Sequence, residues 1–292
     1  MPIRLKNKLI ELFVDLPEEN YQSSRFDRTG KIVSLKFDAI LLTASEKKSS
    51  KNSTRYGQGF YNEFGIAHPL GFDEALEGDW FHKIGVGLLK KEGKQYDFNK
   101  FYEIRPAAFK ITQSTNKIIF SCTAQNSNGY AYVLTKEIVL LSNGFKIIYH
   151  LKNTGTKVIE TNEYCHNFLS IEGASLDRYE LKFPFLLEST HFNEIVNPKN
   201  LISIKKNKIS MLKGLQETFF FSNLSGSKSV SSGWVLQDKV KKICISEQGD
   251  FKTSQVNLWG EAHVVSPELF VAINVAPQKH FSWQRTYSIH TL

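Results

Sequence analysis

The stretch ETNEYCHNFLSI, residues 160–171, sets Cys165 beside His166 inside an apolar run. Four chemistries fit such a pair: a thiolate–imidazole dyad, a metal site, a packed core histidine, or half of an acid/base couple whose partner lies far away in the chain. Successive side chains of an extended strand point to opposite faces, so Cys165 and His166 cannot meet. Tyr164, His166, Phe168 and Ser170 share one face, and Glu163, Cys165, Asn167 and Leu169 the other. A metal site needs further ligands at short spacing, and C-x-x-C, H-x-H and H-E-x-x-H are all missing. No metal is expected, which leaves a structural histidine against a proton-transfer residue.

Strand signals must position that histidine. KIVSLKFDAILLTA, KIIFSCTAQ, YELKFPFLL, KKICISEQ, LFVAINVA and SWQRTYSIHTL alternate or run apolar at strand length. YAYVLTKEIVLL and GFKIIYHLKN, joined by a turn ending in Gly144, predict a long antiparallel hairpin. Helical signal is nearly confined to GFDEALEGD. RTGK, NSNG, LSNG and NTGT supply turns. With no linker and no internal repeat, residues 1–292 predict one all-β domain, a large antiparallel β sandwich. The connection from about Ser45 to Asp79 is the most irregular segment, and loops of that length are usually functional.

The composition, 41% hydrophobic and 23% charged, excludes a disordered or fibrous chain. The net charge of +8 is spread thinly, and its densest clusters, SEKKSSKNSTR and SIKKNKIS, lack interleaved aromatics. Neither nucleic acid nor membrane is expected as a partner, since no stretch approaches the roughly 20 apolar residues of a span. A mildly positive surface would also attract a phosphorylated sugar. The start of the chain lacks a small-residue cleavage site, so a cytoplasmic location is expected. The three cysteines, Cys122, Cys165 and Cys244, predict buried, reduced thiols. The sequons at Asn52 and Asn223 matter only in a secreted protein. Gly85-Val86-Gly87 is too short for a nucleotide fingerprint.

The run LKNTGTKVIETNEYCHNFLSI resembles a segment of the aldose 1-epimerase (galactose mutarotase) superfamily, where one strand turns into a second that carries the catalytic histidine. The family commonly continues H-x-Y-F-N-L; here HNFLSI keeps His166, has Phe168 for the tyrosine, and has Leu169, Ser170 and Ile171 at the last three places. VVSPELFVAINVAPQKHFSWQRTYSIHTL resembles the family's closing segment, with Glu268 in the place of its glutamate, Pro277-Gln278 in that of a Pro-Gly turn, and WQRTYSI as last strand. RFDRTGKIVSLKF looks like the first strand pair, around Gly30. The resemblance runs from Arg25 to the end. The family's N-R-I and L-H-G-G strings are absent, and His82, Lys83 or His68 could occupy the missing place, which marks a divergent member.

That resemblance implies a galactose mutarotase-like supersandwich that interconverts the anomers of a hexose or modified hexose. Ring opening gives a proton to the ring oxygen and takes one from the C1 hydroxyl. On this reading His166 is the general acid, held protonated near its ordinary pKa of about 6.5, and Glu268, ordinarily about 4.3, the base. They would face each other across a concave sheet, on opposite sides of the ring, each worth roughly 10² to 10⁴ in rate. No cofactor is required. Arg25, Asn62, Glu63, His68, His82, Lys83 and Arg105, beside loops or strand ends, are the candidates to hold the sugar. Lys83 leads them because a buried ammonium needs a partner. Trp80, Trp234 and Trp259 offer faces for stacking on a pyranose. The expected partner is a small sugar, the expected state monomer or homodimer, and the rival expectation a non-catalytic carbohydrate-binding sandwich.

Overall fold

Twofold alternation along the strands decides how they pack. In Tyr132–Leu141, Tyr132, Leu134, Lys136, Ile138 and Leu140 are buried while their neighbours are half-buried, as one face of a strand turned to a core requires. This strand pairs with Gly144–Asn153 in unbroken antiparallel register, from Tyr132 opposite Asn153 to Leu141 opposite Gly144, so the predicted hairpin is present. A Cβ on Gly144 would collide with the Tyr287 carbonyl of the adjoining strand, which is why the turn ends in glycine.

The structure, a computed structural model, describes residues 2–48 and 53–292, and the Asn52 sequon lies outside them. It is an all-β sandwich of two ten-stranded antiparallel sheets with a three-stranded sheet beside them. The centre of the first sheet runs Lys31–Phe37, Phe60–Phe64, Ile159–Asn167, Val264–Val275, Val256–Glu261 and Phe219–Ser222; that of the second runs Val230–Asp238, Ile243–Thr253, His280–Thr291, Gly144–Asn153 and Tyr132–Leu141. The small sheet is Trp80–Lys83, Gly87–Lys90 and Ile104–Pro106. GFDEALEGD is no helix: bonds from Ala75 N–H to Gly71 O and from Asp79 N–H to Leu76 O make two separate turns, and Phe72 and Ala75 pack on Phe81 and Tyr102 instead. Two turns do not repay helix nucleation. No helix among the described residues is long and apolar enough to cross a membrane.

Apolar side chains of both sheets fill the space between them, among them Ile138, Ile147 and Leu151 against Cys165, Leu269 and Val271. A polar ladder crosses that core. Arg285 bonds Glu163 and Glu247, each at 2.6 Å. Glu163 also accepts from Trp283 Nε1 at 2.9 Å and from Asn62 Nδ2 at 2.7 Å, and Asn62 Oδ1 accepts from Lys136 at 2.9 Å. A buried charge needs partners, and these bonds link the two sheets behind the strand that carries His166, with Arg285 Nε alone in the ladder left without a partner among the described residues.

Candidate acid–base site

Residues of one parity turn away from the core, onto the outer face of the first sheet. In register there, Tyr61 lies opposite His166, Glu63 opposite Tyr164, Tyr164 opposite Phe270, and Glu268 opposite Asn257. Folding brings the two distant sequence candidates into contact: His166 Nε2 is 3.3 Å from Glu268 Oε1. They are 2% and 4% exposed. His166 stacks on Phe168 with ring centroids 4.1 Å apart and meets Trp259 at 5.0 Å and Phe26 at 6.0 Å, edge to face. Its Nδ1 has no partner among the described residues. Ser266 Oγ donates to Glu268 Oε1 at 3.4 Å.

Two expectations are thereby corrected. Groups 3.3 Å apart leave no room for a ring between them, so they do not sit on opposite flanks of one. Their proton also sits the other way round. Burial pushes the Glu268 carboxyl up to about 8, with Arg25 opposing and Glu63 adding to the rise. Burial, then the Arg25 guanidinium, holds His166 well below its ordinary value. Both shifts favour the neutral forms, a protonated Glu268 carboxyl beside a neutral His166 imidazole, because a dry site disfavours either charge.

Beside the pair stands a charged cluster. Glu63, fully buried, meets Lys83 Nζ at 3.0 Å and Arg25 Nε at 2.8 Å and accepts from Tyr164 Oη at 2.7 Å. Burial works against its ionisation, but Lys83, Arg25 and the Tyr164 hydroxyl hold it below the usual carboxylate range. Lys83 thus has the partner its burial demands, and Arg25, Lys83 and Tyr164 converge on Glu63. Arg25 also lines a hollow of about 280 Å³ with Tyr21, Arg55, Tyr56 and Phe101.

The remaining candidates lie elsewhere. Asn62 points between the sheets, where Glu163 and Lys136 occupy its amide, because its parity is opposite to that of Glu63. His82 is buried with Nε2 at 3.1 Å from the Tyr130 carbonyl, and burial lowers it to about 4. Arg105 lies exposed over the Trp80 ring at 3.9 Å on the small sheet. His68 is exposed on the wall of a separate cleft. Trp234 is buried with its indole N–H on Glu247, so of the three tryptophans only Trp259 reaches the pair. Sequence reading missed Asn257 and Ser266: Asn257 faces Glu268 through strand register, which carries no sequence signal, whereas Ser266 precedes Glu268 by two on the same face, a spacing that alternation makes legible.

No protein-family model matches the sequence, and no curated protein matches it significantly. Solved structures do match over the whole length. A galactose mutarotase related enzyme from Lactobacillus acidophilus is 13% identical over 100% of this chain and 98% of its own, with a TM-score of 0.64. A galactose mutarotase-like protein from Clostridium acetobutylicum is 14% identical, over 100% and 95%, at 0.61. A GalM/aldose epimerase homologue from C. elegans is 10% identical, over 100% and 99%, at 0.58. The fold is the galactose mutarotase-like one.

Within this mutarotase-like fold a cavity opens not over the pair but next to it. A cleft of about 580 Å³ is lined by Asn162, Phe270 and Ala272 of the central strands and by His68, Tyr130 and Gln255. Phe270 follows Glu268 by two on the same face and stacks on Tyr164, centroids 4.5 Å apart. These two rings wall the cleft off from the buried carboxyl.

Proposed function

We propose that the chain is an aldose 1-epimerase-like isomerase that opens and recloses the ring of a hexose or modified hexose. The observation that carries this reading is the contact between His166 Nε2 and Glu268 Oε1 at 3.3 Å, an acid and a base holding one proton in a site closed to water. The two oxygens that exchange protons in ring opening are bonded to the same carbon, C1. An acid and a base side by side therefore serve both from one flank. Glu268 gives its proton to the ring oxygen as the bond from C1 to that oxygen breaks, and His166 takes the C1 hydroxyl proton as the carbonyl forms. Reclosure on the other face of the carbonyl returns both protons. The developing imidazolium–carboxylate pair is stronger in a dry site than in water. The test is anomer exchange by magnetisation-transfer NMR over a panel of aldoses: catalysed exchange of at least one, lost in Glu268→Gln, bears the reading out, and no exchange of any sinks it.

A second reading is a non-catalytic carbohydrate-binding sandwich. The cover of Phe26, Phe168 and Trp259 over the pair, which a sugar must displace, favours it. Sugar binding without exchange selects it.

A further inference from the structure

The three rings that cover the acid–base pair are not equally free to move. Phe168 is fully buried and backed by the chain itself: a Cβ on Gly57 would overlap its ring. Its N–H bonds the Gly59 carbonyl at 2.7 Å, and its carbonyl accepts from Ala44 N–H at 2.9 Å. Trp259 is half-buried within strand Val256–Glu261, between Phe220 and Ser266 of the neighbouring strands. It borders neither the 280 Å³ hollow nor the 580 Å³ cleft.

Phe26 differs on both counts. It lies in the irregular chain between strands Ile10–Asp15 and Lys31–Phe37, its N–H donating to a side chain, Tyr21 Oη, at 3.3 Å rather than to a sheet ladder. Its ring meets His166 edge to face, centroids 6.0 Å apart, and also borders the hollow of about 280 Å³ with Arg25, Tyr56, Phe98, Asn99 and Phe101. A single ring thus separates the imidazole from that hollow. Side chains move by rotation between staggered wells, and a close-packed ring can do so only where a cavity adjoins it. The hollow offers the rotated ring an aromatic setting. The Arg25 guanidinium lies 4.5 Å from the Phe26 ring and 4.6 Å from the Phe98 ring, so it gives a cation–π contact on either side.

We infer that Phe26 is the gate of the site: its ring rotates into the hollow, and what reaches His166 arrives through that hollow rather than past Trp259 or from the cleft behind Phe270. Arg25, bonded to Glu63 at 2.8 Å and to Tyr164 at 2.9 Å, is the fixed post beside which the ring turns. The gate rests on the acid–base reading only in taking a sugar as what enters; access to His166 is a property of the protein alone.

The test is labelling of the full chain with diethyl pyrocarbonate, which acylates neutral imidazoles, with the modified peptides read by mass spectrometry. His68, exposed, is the standard for free access, and His82, buried in the small sheet, must stay unlabelled if a variant keeps its fold. The parent is compared with Phe26→Ala, Asn99→Trp and the double variant; Asn99 is exposed where it lines the hollow, so a tryptophan there fills the entrance and leaves the core untouched. In the parent, His166 should label far more slowly than His68. A minor open conformer is populated at roughly 0.1–10%, so Phe26→Ala should label His166 about tenfold or more faster than the parent does. The double variant should return towards the parent rate, and Asn99→Trp alone should slow the parent. Labelling of His166 as fast as His68 in the parent, no acceleration in Phe26→Ala, or a rate that Asn99→Trp leaves unchanged in either background overturns the gate. Anomer exchange in the same variants separates the two readings: labelling as expected without exchange of any aldose removes only the isomerase, and exchange that Asn99→Trp does not slow removes only the gate.

Discussion

Asn62 and Glu63 are neighbours in one strand whose side chains serve opposite faces of the first sheet: Asn62 joins Lys136 to Glu163 in the core, and Glu63 joins Arg25, Lys83 and Tyr164 beside the acid–base pair. Substitution at the two positions should therefore read out differently. Asn62→Ala leaves a buried ammonium and a buried carboxylate each one bond short, at a cost of about 1–3 kcal/mol in urea unfolding. Glu63→Gln removes a negative charge that helps raise Glu268. The Glu268 carboxyl should then titrate at lower pH, followed by carbon NMR of the side chain, whereas Asn62→Ala should not move it.

The pH dependence of turnover follows from the same carboxyl. Below about 8 Glu268 keeps its proton; above that the acid is lost, and kcat/KM should fall about tenfold per pH unit. Because burial holds His166 well below its ordinary value, no acid limb should occur around 6.5. A profile that instead rises through 6.5 and stays flat to pH 9 would contradict this assignment of the proton.

Holding that proton costs stability. Unfolded, the carboxyl ionises near 4.5; folded, it does so at about 8. Between these values the unfolded state binds fewer protons, so stability falls as pH rises from 4.5 to 8 and is level above. Glu268→Gln removes the effect, and at pH 8 it should be more stable than the parent by up to about 5 kcal/mol in denaturant unfolding. The inactive variant should thus be the sturdier protein.

The fold and the pairing of His166 with Glu268 were legible for different reasons. Alternation gave the Tyr132–Leu141 hairpin and the two faces of the His166 strand, because period two is written in the chain. Glu268 came from likeness to a known closing segment; nothing in its spacing from His166 says that the strands Ile159–Asn167 and Val264–Val275 are neighbours. The direct contact was not legible, since register across strands is set by the core. Nor was the protonation order, because ordinary pKa values carry no burial. Asn62 was misplaced by one position of parity, and His82 looked like a site residue only because its burial was unknown.

The two members of the pair should also fail together. They hold one proton between them, so removing either ends the exchange that needs both. His166→Gln and Glu268→Gln should each lower kcat by roughly 10² to 10⁴, and the double variant should be little worse than the worse single one, as for residues that act as a unit. Multiplying losses, measured by exchange NMR, would mean that the two groups act independently.

His82, like His166, removes stability on the acid side, against the opposite contribution of Glu268 over part of the same window. It lies fully inside the small sheet's junction with Tyr130 and Tyr132, and burial lowers it from 6.5 to about 4. Unfolded, the imidazole takes a proton below 6.5; folded, it refuses one until about 4. The unfolded state therefore binds more protons in that window, and stability falls as pH drops through it, by about 3 kcal/mol in all. His82→Gln keeps a donor for the Tyr130 carbonyl and cannot titrate. It should cost little at pH 8 and, measured against the parent in urea unfolding, gain about 3 kcal/mol between pH 6.5 and 4 as the His82 contribution is removed. An unchanged slope would mean that the small sheet opens and lets water reach the ring before the sandwich unfolds.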